Sequence, residues 1–240
     1  MLNVTAAAKG LVAGAFTICR PDGSILDAAC EREGILVPVL KDILSINMSS
    51  VRWILVIEKE ASFRSIAAST FWHEVSTQGV IMTGKGYPDI ATRALLHLMC
   101  TPAPRNGFAS PPAFCLVDFD PDGLAIMSTY KHGSAALAHE NEDLRVPQLQ
   151  WLGLRPKDIC TGADDMHSEQ GLLCLSSRDR HKAVKMLERS NTSANVDEHE
   201  LDGRSALQTM LMLNTKAELQ LLDATPRGMA DLLTSALPNL

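Results

Sequence analysis

The chain has 240 residues, 46% of them apolar, and 22 Lys and Arg against 28 Asp and Glu give a net charge of −6. That length and apolar share are enough to bury a sizeable core in one large domain, or one domain with appendages. The acidic balance excludes a uniformly basic nucleic-acid-coating protein but leaves room for a locally basic groove. Six scattered cysteines (Cys19, Cys30, Cys100, Cys115, Cys160, Cys174) form no CxxC pair, which speaks against a disulfide framework or a zinc site and for reduced, buried thiols. No apolar run approaches the roughly 18 residues of a membrane span, and the N-terminus has no signal-peptide pattern. A soluble intracellular protein with no membrane partner is the expectation.

The stretch Asn3 to Ile18, the turn chemistry at Pro21-Asp22-Gly23 and Ser24-Ile25-Leu26 after it read together as a β-hairpin, or as two strands wrapping an edge. Ile35 to Ile46 reads as a short helix. Trp53 to Ile57 (WILVI) is a continuous apolar run, as expected of a strand covered on both faces. Ala61 to His73 has helical spacing of Phe63, Ile66, Ala67 and Phe71, and Gly79 to Met82 is a second strand. Ile90 to Cys100 is a helix with Ala91, Leu95, Leu98 and Met99 in its apolar set, and Thr101 to Pro112 is a Pro/Gly-rich loop. Ala113 to Val117 is a third strand, leading to a helix through about Lys131, and Val146 to Leu152 is a fourth strand, with Pro147 suggesting an edge. Strands alternating with helices predict an α/β fold with a parallel four-stranded sheet and flanking helices. Beyond Thr161, Asp164 to Gly171 is polar and Ser177 to Arg189 is a charged helix with Ala183, Val184 and Leu187 inward. Ser190 to His199 is a polar loop, and Arg204 to Asp223 and Met229 to Leu237 are helical, with Leu207, Met210, Leu211 and Leu213 as core. The expected organisation is an N-terminal hairpin segment (1–50), an α/β core (51–160) and a helical C-terminal extension (161–240).

The chemistry concentrates in Asp118-Phe119-Asp120-Pro121-Asp122-Gly123. Side chains alternate along a strand, so Asp118 and Asp120 share a face, roughly 6–7 Å apart along the chain. Pro121 suits the first turn of a helix and Asp120 its N-cap. Two carboxylates at one strand-to-helix handover repel each other, and a hard divalent cation resolves the conflict. The bland alternative is that they only cap a helix. An EF-hand is disfavoured because Thr129 stands where its last bidentate Glu belongs. A strand followed by Asp-x-Asp also resembles haloacid-dehalogenase-type phosphatases at that motif alone, which makes Asp118 a nucleophile in an alternative reading.

The second motif, Thr83-Gly84-Lys85-Gly86-Tyr87-Pro88-Asp89, reads as a turn in which Gly84 and Gly86 supply φ > 0. Lys85 between them is a candidate phosphate contact. Arg178, Arg180, His181, Lys182 and Lys185 cluster on one helix, which reads as a solvated face. His73, His97 and His167 have no metal-ligand spacing.

Seven stretches, taken in order, resemble the A subunit of topoisomerase VI and its meiotic relatives that make programmed double-strand breaks. They are Ala8-Lys9-Gly10-Leu11-Val12-Ala13-Gly14, Ile57-Glu58-Lys59-Glu60-Ala61, Thr83 to Asp89, Asp118 to Gly123, Trp151-Leu152-Gly153-Leu154, Leu175-Ser176-Ser177-Arg178-Asp179-Arg180 and Lys216-Ala217-Glu218-Leu219-Gln220. The likeness runs from about Asn3 to Asp223. It implies a Toprim domain holding Mg²⁺, which Mn²⁺ can replace, through Glu58, Asp118 and Asp120. The predicted geometry agrees, since ligands of open α/β sheets gather beyond the carboxyl ends of the strands.

The resemblance further implies double-stranded DNA as substrate, a homodimer, a topoisomerase VI B-like partner in an ATP-hydrolysing complex, and a nuclear, chromosomal setting. In that family a Tyr in a winged-helix domain preceding the Toprim domain attacks the phosphodiester. The only tyrosines here are Tyr87 and Tyr130, and neither matches the nucleophile's position. The expectation is therefore the Toprim half of a tyrosine transesterase, inactive by itself, with no catalytic nucleophile in this chain. A non-catalytic DNA-binding or assembly subunit is the alternative.

Overall fold

The computed structural model describes residues 8–31, 33–133, 142–154, 172–190, 198–224 and 228–237. They form two compact units, the first from within 1–115 and 128–149, the second from within 116–127 and 150–237.

The first unit begins with β1 (Leu11–Gly14), β2 (Thr17–Cys19), β3 (Ile25–Asp27), β4 (Ile35–Leu36) and β5 (Ser45–Asn47). It continues with β6 (Trp53–Ile57), α1 (Glu60–Ala67), α2 (Thr70–Val75), β7 (Gly79–Thr83) and α3 (Ile90–Cys100). β8 (Ala113–Leu116) carries the chain to the second unit. Every residue of β6 is buried, which is why its sequence shows no polar alternation. β6 pairs in parallel with β7 from Trp53↔Gly79 to Ile57↔Thr83. Gly79 is a glycine because a Cβ there would overlap the Trp53 indole, which also meets Trp72 of α2 edge to face at 6.2 Å.

The sheet is mixed rather than wholly parallel. Its order in this unit is β4-β1-β7-β6-β8, with β1 antiparallel to both β4 and β7. The expected hairpin forms about its expected turn: β2 pairs with β3 across Pro21-Asp22-Gly23 and, on its other side, with β5. The helix expected over Ile35 to Ile46 does not form. Pro38 has no N–H and biases Val37 to extended backbone, so the segment becomes β4, a 3₁₀ turn at Leu40–Asp42 and β5. The helix expected over Ala61 to His73 is two helices, because Ser69 accepts the Trp72 N–H at 3.2 Å and starts α2 afresh.

α4 (Pro121–His132) spans the two sets of residues, its first seven in the second unit and the rest in the first. The second unit adds β9 (Gln150–Leu152), β10 (Leu172–Cys174), α5 (Ser177–Ser190), α6 (Glu198–Leu213), β11 (Thr215–Ala217) and α7 (Gly228–Ala236). The fourth strand is thus only Gln150–Leu152; the Val146 N–H goes instead to the Tyr130 carbonyl at 2.9 Å. The helix expected over Arg204 to Asp223 starts earlier and stops at Leu213, where Asn214 takes φ 53°. The remainder of that stretch forms β11, antiparallel to β10, and a 3₁₀ turn at Leu219–Ala224. In α5 Ala183 is buried, but Val184 is 44% exposed; in α6 Leu207 and Met210 are core while Leu213 is 51% exposed. Cys160, His167 and the polar stretch Asp164 to Gly171 lie outside the described residues. Among the described residues Cys19, Cys30, Cys100, Cys115 and Cys174 are free thiols; Cys100 and Cys115 are buried as expected, but Cys30 and Cys174 are exposed. Among the same residues no helix is long and apolar enough to cross a membrane.

Gly14 holds β1 against β7 at a point only glycine fits: its φ is +136°, and a Cβ would overlap the Gly79 carbonyl. Gly14→Ala combines left-handed strain with overpacking and should cost about 2–5 kcal/mol by urea unfolding. Gly23→Ala, at φ +82° with open space around it, should cost only about 1 kcal/mol.

Candidate metal centre

In the second unit the chain leaves β8 and passes through Asp118-Phe119-Asp120 into α4. Phe119 is 1% exposed. Its N–H donates to the Ala217 carbonyl at 2.9 Å and its carbonyl accepts the Ala217 N–H at 3.0 Å, an antiparallel bridge. Its ring stacks on Trp151 at 6.4 Å. With Phe119 committed to the core, alternation assigns Asp118 and Asp120 together to the other face. Asp118 is 3% exposed and its Oδ1 accepts the Leu219 N–H at 2.9 Å. Asp120 Oδ1 accepts the Gly123 N–H at 2.6 Å, the N-cap role that Pro121 at the first helical position implies. Burial pushes the Asp120 carboxyl above the ordinary range, the Gly123 hydrogen bond opposes this, Asp118 and Asp122 push it further up, and Lys216 draws it back.

Two lysines answer this acidic run. Lys182 of α5 pairs with Asp122. Lys216 of β11 pairs with Asp179 at 2.9 Å, and its pKa is raised, chiefly by that hydrogen bond, with further help from the charges of Asp179, Asp120 and Asp122. Asp179 also closes a capping box at the start of α5: its carboxylate accepts the Ser176 N–H at 2.9 Å and its own N–H donates to the Ser176 hydroxyl at 3.1 Å. Sequence reasoning missed Asp179, Lys182 and Lys216 as a group. Arg178, Arg180, His181 and Lys185 are exposed as a solvated face should be, and Lys182 departs from it. The available signal was that Asp179 and Lys216 each sit in a family-like stretch.

In the first unit Glu58 follows β6 and is 9% exposed. Its carbonyl accepts the Gly86 N–H at 2.9 Å and the Thr83 hydroxyl at 3.2 Å, so the β6 end and the glycine turn are tied together. Burial, with the Glu58 charge adding to it, pushes the Cys115 thiol up, so this cysteine is inert. The glycine turn differs from the sequence expectation. Lys85 (φ 54°) and Gly86 (φ 87°) take the left-handed positions, not Gly84. Gly84 is needed for space: a Cβ there would lie 2.6 Å from the Tyr130 hydroxyl and 2.9 Å from Pro88 Cα. The Lys85 ammonium pairs with Glu60 at 3.1 Å, and its carbonyl accepts from the Lys9 ammonium at 3.1 Å. Tyr130 is 1% exposed and burial pushes its pKa well up; Tyr87 is 47% exposed.

Among the described residues no three His, Cys, Asp or Glu side chains are already gathered as a metal cage. The donor chemistry of the aspartates nevertheless fits a hard divalent cation. They are oxygen donors whose mutual repulsion is visible at Asp120. A carboxylate has about four lone-pair sites, more than the Leu219 and Gly123 N–H bonds fill.

The family model for the Toprim domain shared by Spo11 and the A subunit of topoisomerase 6 matches residues 53–238. This chain belongs to that family. It is 33% identical to the meiotic recombination protein SPO11-1 of Oryza sativa subsp. indica over 223 residues, which are 93% of this chain and 55% of that protein. It is 30% identical to human meiotic recombination protein SPO11, over 92% of this chain and 52% of that protein. It is 32% identical to the A subunit of DNA topoisomerase 6 from Arabidopsis thaliana, over 93% and 48%. The chain spans about half the length of these curated relatives. Membership of the Spo11 and topoisomerase 6 family gives no support to the phosphatase alternative.

The Asp179 pair makes a pH prediction for this Toprim chain. Burial pushes the Asp179 carboxyl up, but Lys216 and Ser176 outweigh it and hold it below its ordinary value of 3.8. A depressed carboxyl contributes stability that is complete above the ordinary value and lost as pH falls through the lowered one. Asp179→Asn should therefore cost about 1–3 kcal/mol at pH 7. Denaturant unfolding of the two proteins should converge only once pH drops below 3.8.

Proposed function

We propose that this chain is the metal-binding Toprim part of a type IIB topoisomerase-like protein that makes DNA double-strand breaks in meiotic recombination. In this reading residues 51–160 are the Toprim core, 161–240 its helical extension, and 1–50 the segment leading from a winged-helix domain. The observation that carries the proposal is the Asp118–Asp120 pair at a strand-to-helix handover, in a chain of this family, with Asp120 under electrostatic stress. Asp118 and Asp120 hold Mg²⁺ or Mn²⁺, with Glu58 as the third carboxylate that the family pattern implies. The ion supplies Lewis-acid stabilisation of charge on the scissile phosphodiester. Lys85, on its left-handed turn, exchanges its Glu60 partner for a DNA phosphate. The nucleophile is a Tyr outside residues 1–240, since Tyr130 is buried with its pKa raised and Tyr87 sits in the glycine turn. The working unit is a dimer with a topoisomerase VI B-like partner, on double-stranded DNA, in the nucleus.

Three measurements test this. Mn²⁺ titration by calorimetry should show much weaker binding to Asp120→Ala than to wild type, and equal affinity would remove the metal assignment. Lys85→Ala should lower the salt slope of DNA binding by about one phosphate contact; an unchanged slope would leave Lys85 as a partner of Glu60 only. Residues 1–240 with supercoiled plasmid and Mg²⁺ should give no protein–DNA adduct, and the same chain extended by a Tyr-bearing winged-helix domain, with the B-like partner, should give a covalent 5′ adduct. An adduct on residues 1–240 that vanishes in Tyr87→Phe or Tyr130→Phe would overturn the placement of the nucleophile. No adduct from the extended complex would favour the assembly-subunit reading.

A further inference from the structure

The acidic run is not left for a metal alone. Asp122, two residues beyond Asp120, is in contact with the Lys182 ammonium. Lys216 reaches Asp179 at 2.9 Å and feels the charges of Asp120 and Asp122. Both cations are largely withdrawn from solvent, with side chains 24% and 22% exposed. Charges so placed are screened much less than surface pairs. Any divalent ion entering at Asp118 and Asp120 must do so against the Lys216 charge already felt at Asp120 and a second ammonium seated on Asp122, two residues along.

The two lysines differ in how firmly they are held. Lys216 is anchored by strand pairing in β11 and by an Asp179 carboxylate only 7% exposed. Lys182 reaches from a helix to Asp122, which is 32% exposed. A long, rotatable side chain on a half-open carboxylate gives way at lower cost than one on a buried, capped carboxylate.

We propose that Lys182 and Lys216 are positioning residues that set how tightly the Asp118–Asp120 run takes a divalent cation, with Lys182 as the adjustable counter-charge and Lys216 as the fixed one. This rests on the metal-binding role of Asp118 and Asp120. While the ion is absent the lysines offset part of the repulsion among the carboxylates. When it enters, Lys182 swings off Asp122, and the free energy of that displacement is subtracted from the binding. The site is thereby tuned for reversible rather than permanent loading.

The test is Mn²⁺ binding to the whole chain, followed by the electron paramagnetic resonance of free Mn²⁺, with circular dichroism and melting to verify folding. Lys182→Gln should bind Mn²⁺ roughly tenfold more tightly than wild type, because a cation beside the site has been removed. Lys182→Arg should stay within about twofold of wild type. Asp122→Asn should bind more weakly, since the lysine remains and its carboxylate has gone. The double variant Lys182→Gln/Asp122→Asn removes a neutral pair and should return near wild-type affinity, which makes the four proteins a thermodynamic cycle. Unchanged or weakened binding in folded Lys182→Gln would overturn the inference while leaving the metal reading intact. Absence of saturable Mn²⁺ binding in wild type would overturn both. Should Lys182→Gln not fold, Asp122→Asn decides: affinity equal to wild type overturns the inference.

Discussion

The second unit depends on a two-way hydrogen bond between Phe119 and Ala217. It fixes the backbone just past β8 and buries an aromatic ring on Trp151. The flanking aspartates then have one face left to them. The same bridge brings in the residues around Ala217: Lys216 on one side, with its charge felt at Asp120, and Leu219 on the other, with its N–H on Asp118. One strand contact thus sets the carboxylates, one of their counter-charges and one of their hydrogen-bond donors.

Charge balance is a local matter here. A molecule with a net charge of −6 pairs Asp122 of its aspartate run with Lys182 and sets the charge of Lys216, held on Asp179, within reach of Asp120. The buried cysteines show the opposite treatment: Cys100 and Cys115 have their thiols pushed up by burial, Cys100 to about 12. Burial thus keeps these thiols neutral, whereas buried Asp118 is held by a hydrogen bond from Leu219.

Much of this was legible in the residues. WILVI and Ile90 to Cys100 match β6 and α3 residue for residue, because a fully buried strand and an amphipathic helix each impose their period on the text. The Asp120 cap was readable because capping is local. The features that stayed hidden depended on distant partners. The antiparallel placement of β1 is decided by β7, about seventy residues away in sequence. The glycine turn misled because two reasons for glycine look alike in a sequence: Gly86 is there for its φ, Gly84 for the space that Tyr130 and Pro88 leave. Lys182 hid among exposed basic neighbours on α5, since a sequence does not show which member of a charge run faces inward. The short strand β11 was absorbed into a helical pattern that Asn214 in fact ends.

The Asp118–Leu219 hydrogen bond joins residues 101 positions apart. Closing a loop of that length costs on the order of 4 kcal/mol in chain entropy before any contact is made. During synthesis Asp118 leaves the ribosome about a hundred codons ahead of the N–H that will bind it. At translation rates of about 5–20 residues per second, the carboxylate spends on the order of five to twenty seconds without that donor. The acidic run therefore matures late, after the β6–β7 pairing of the first unit has had its full sequence available.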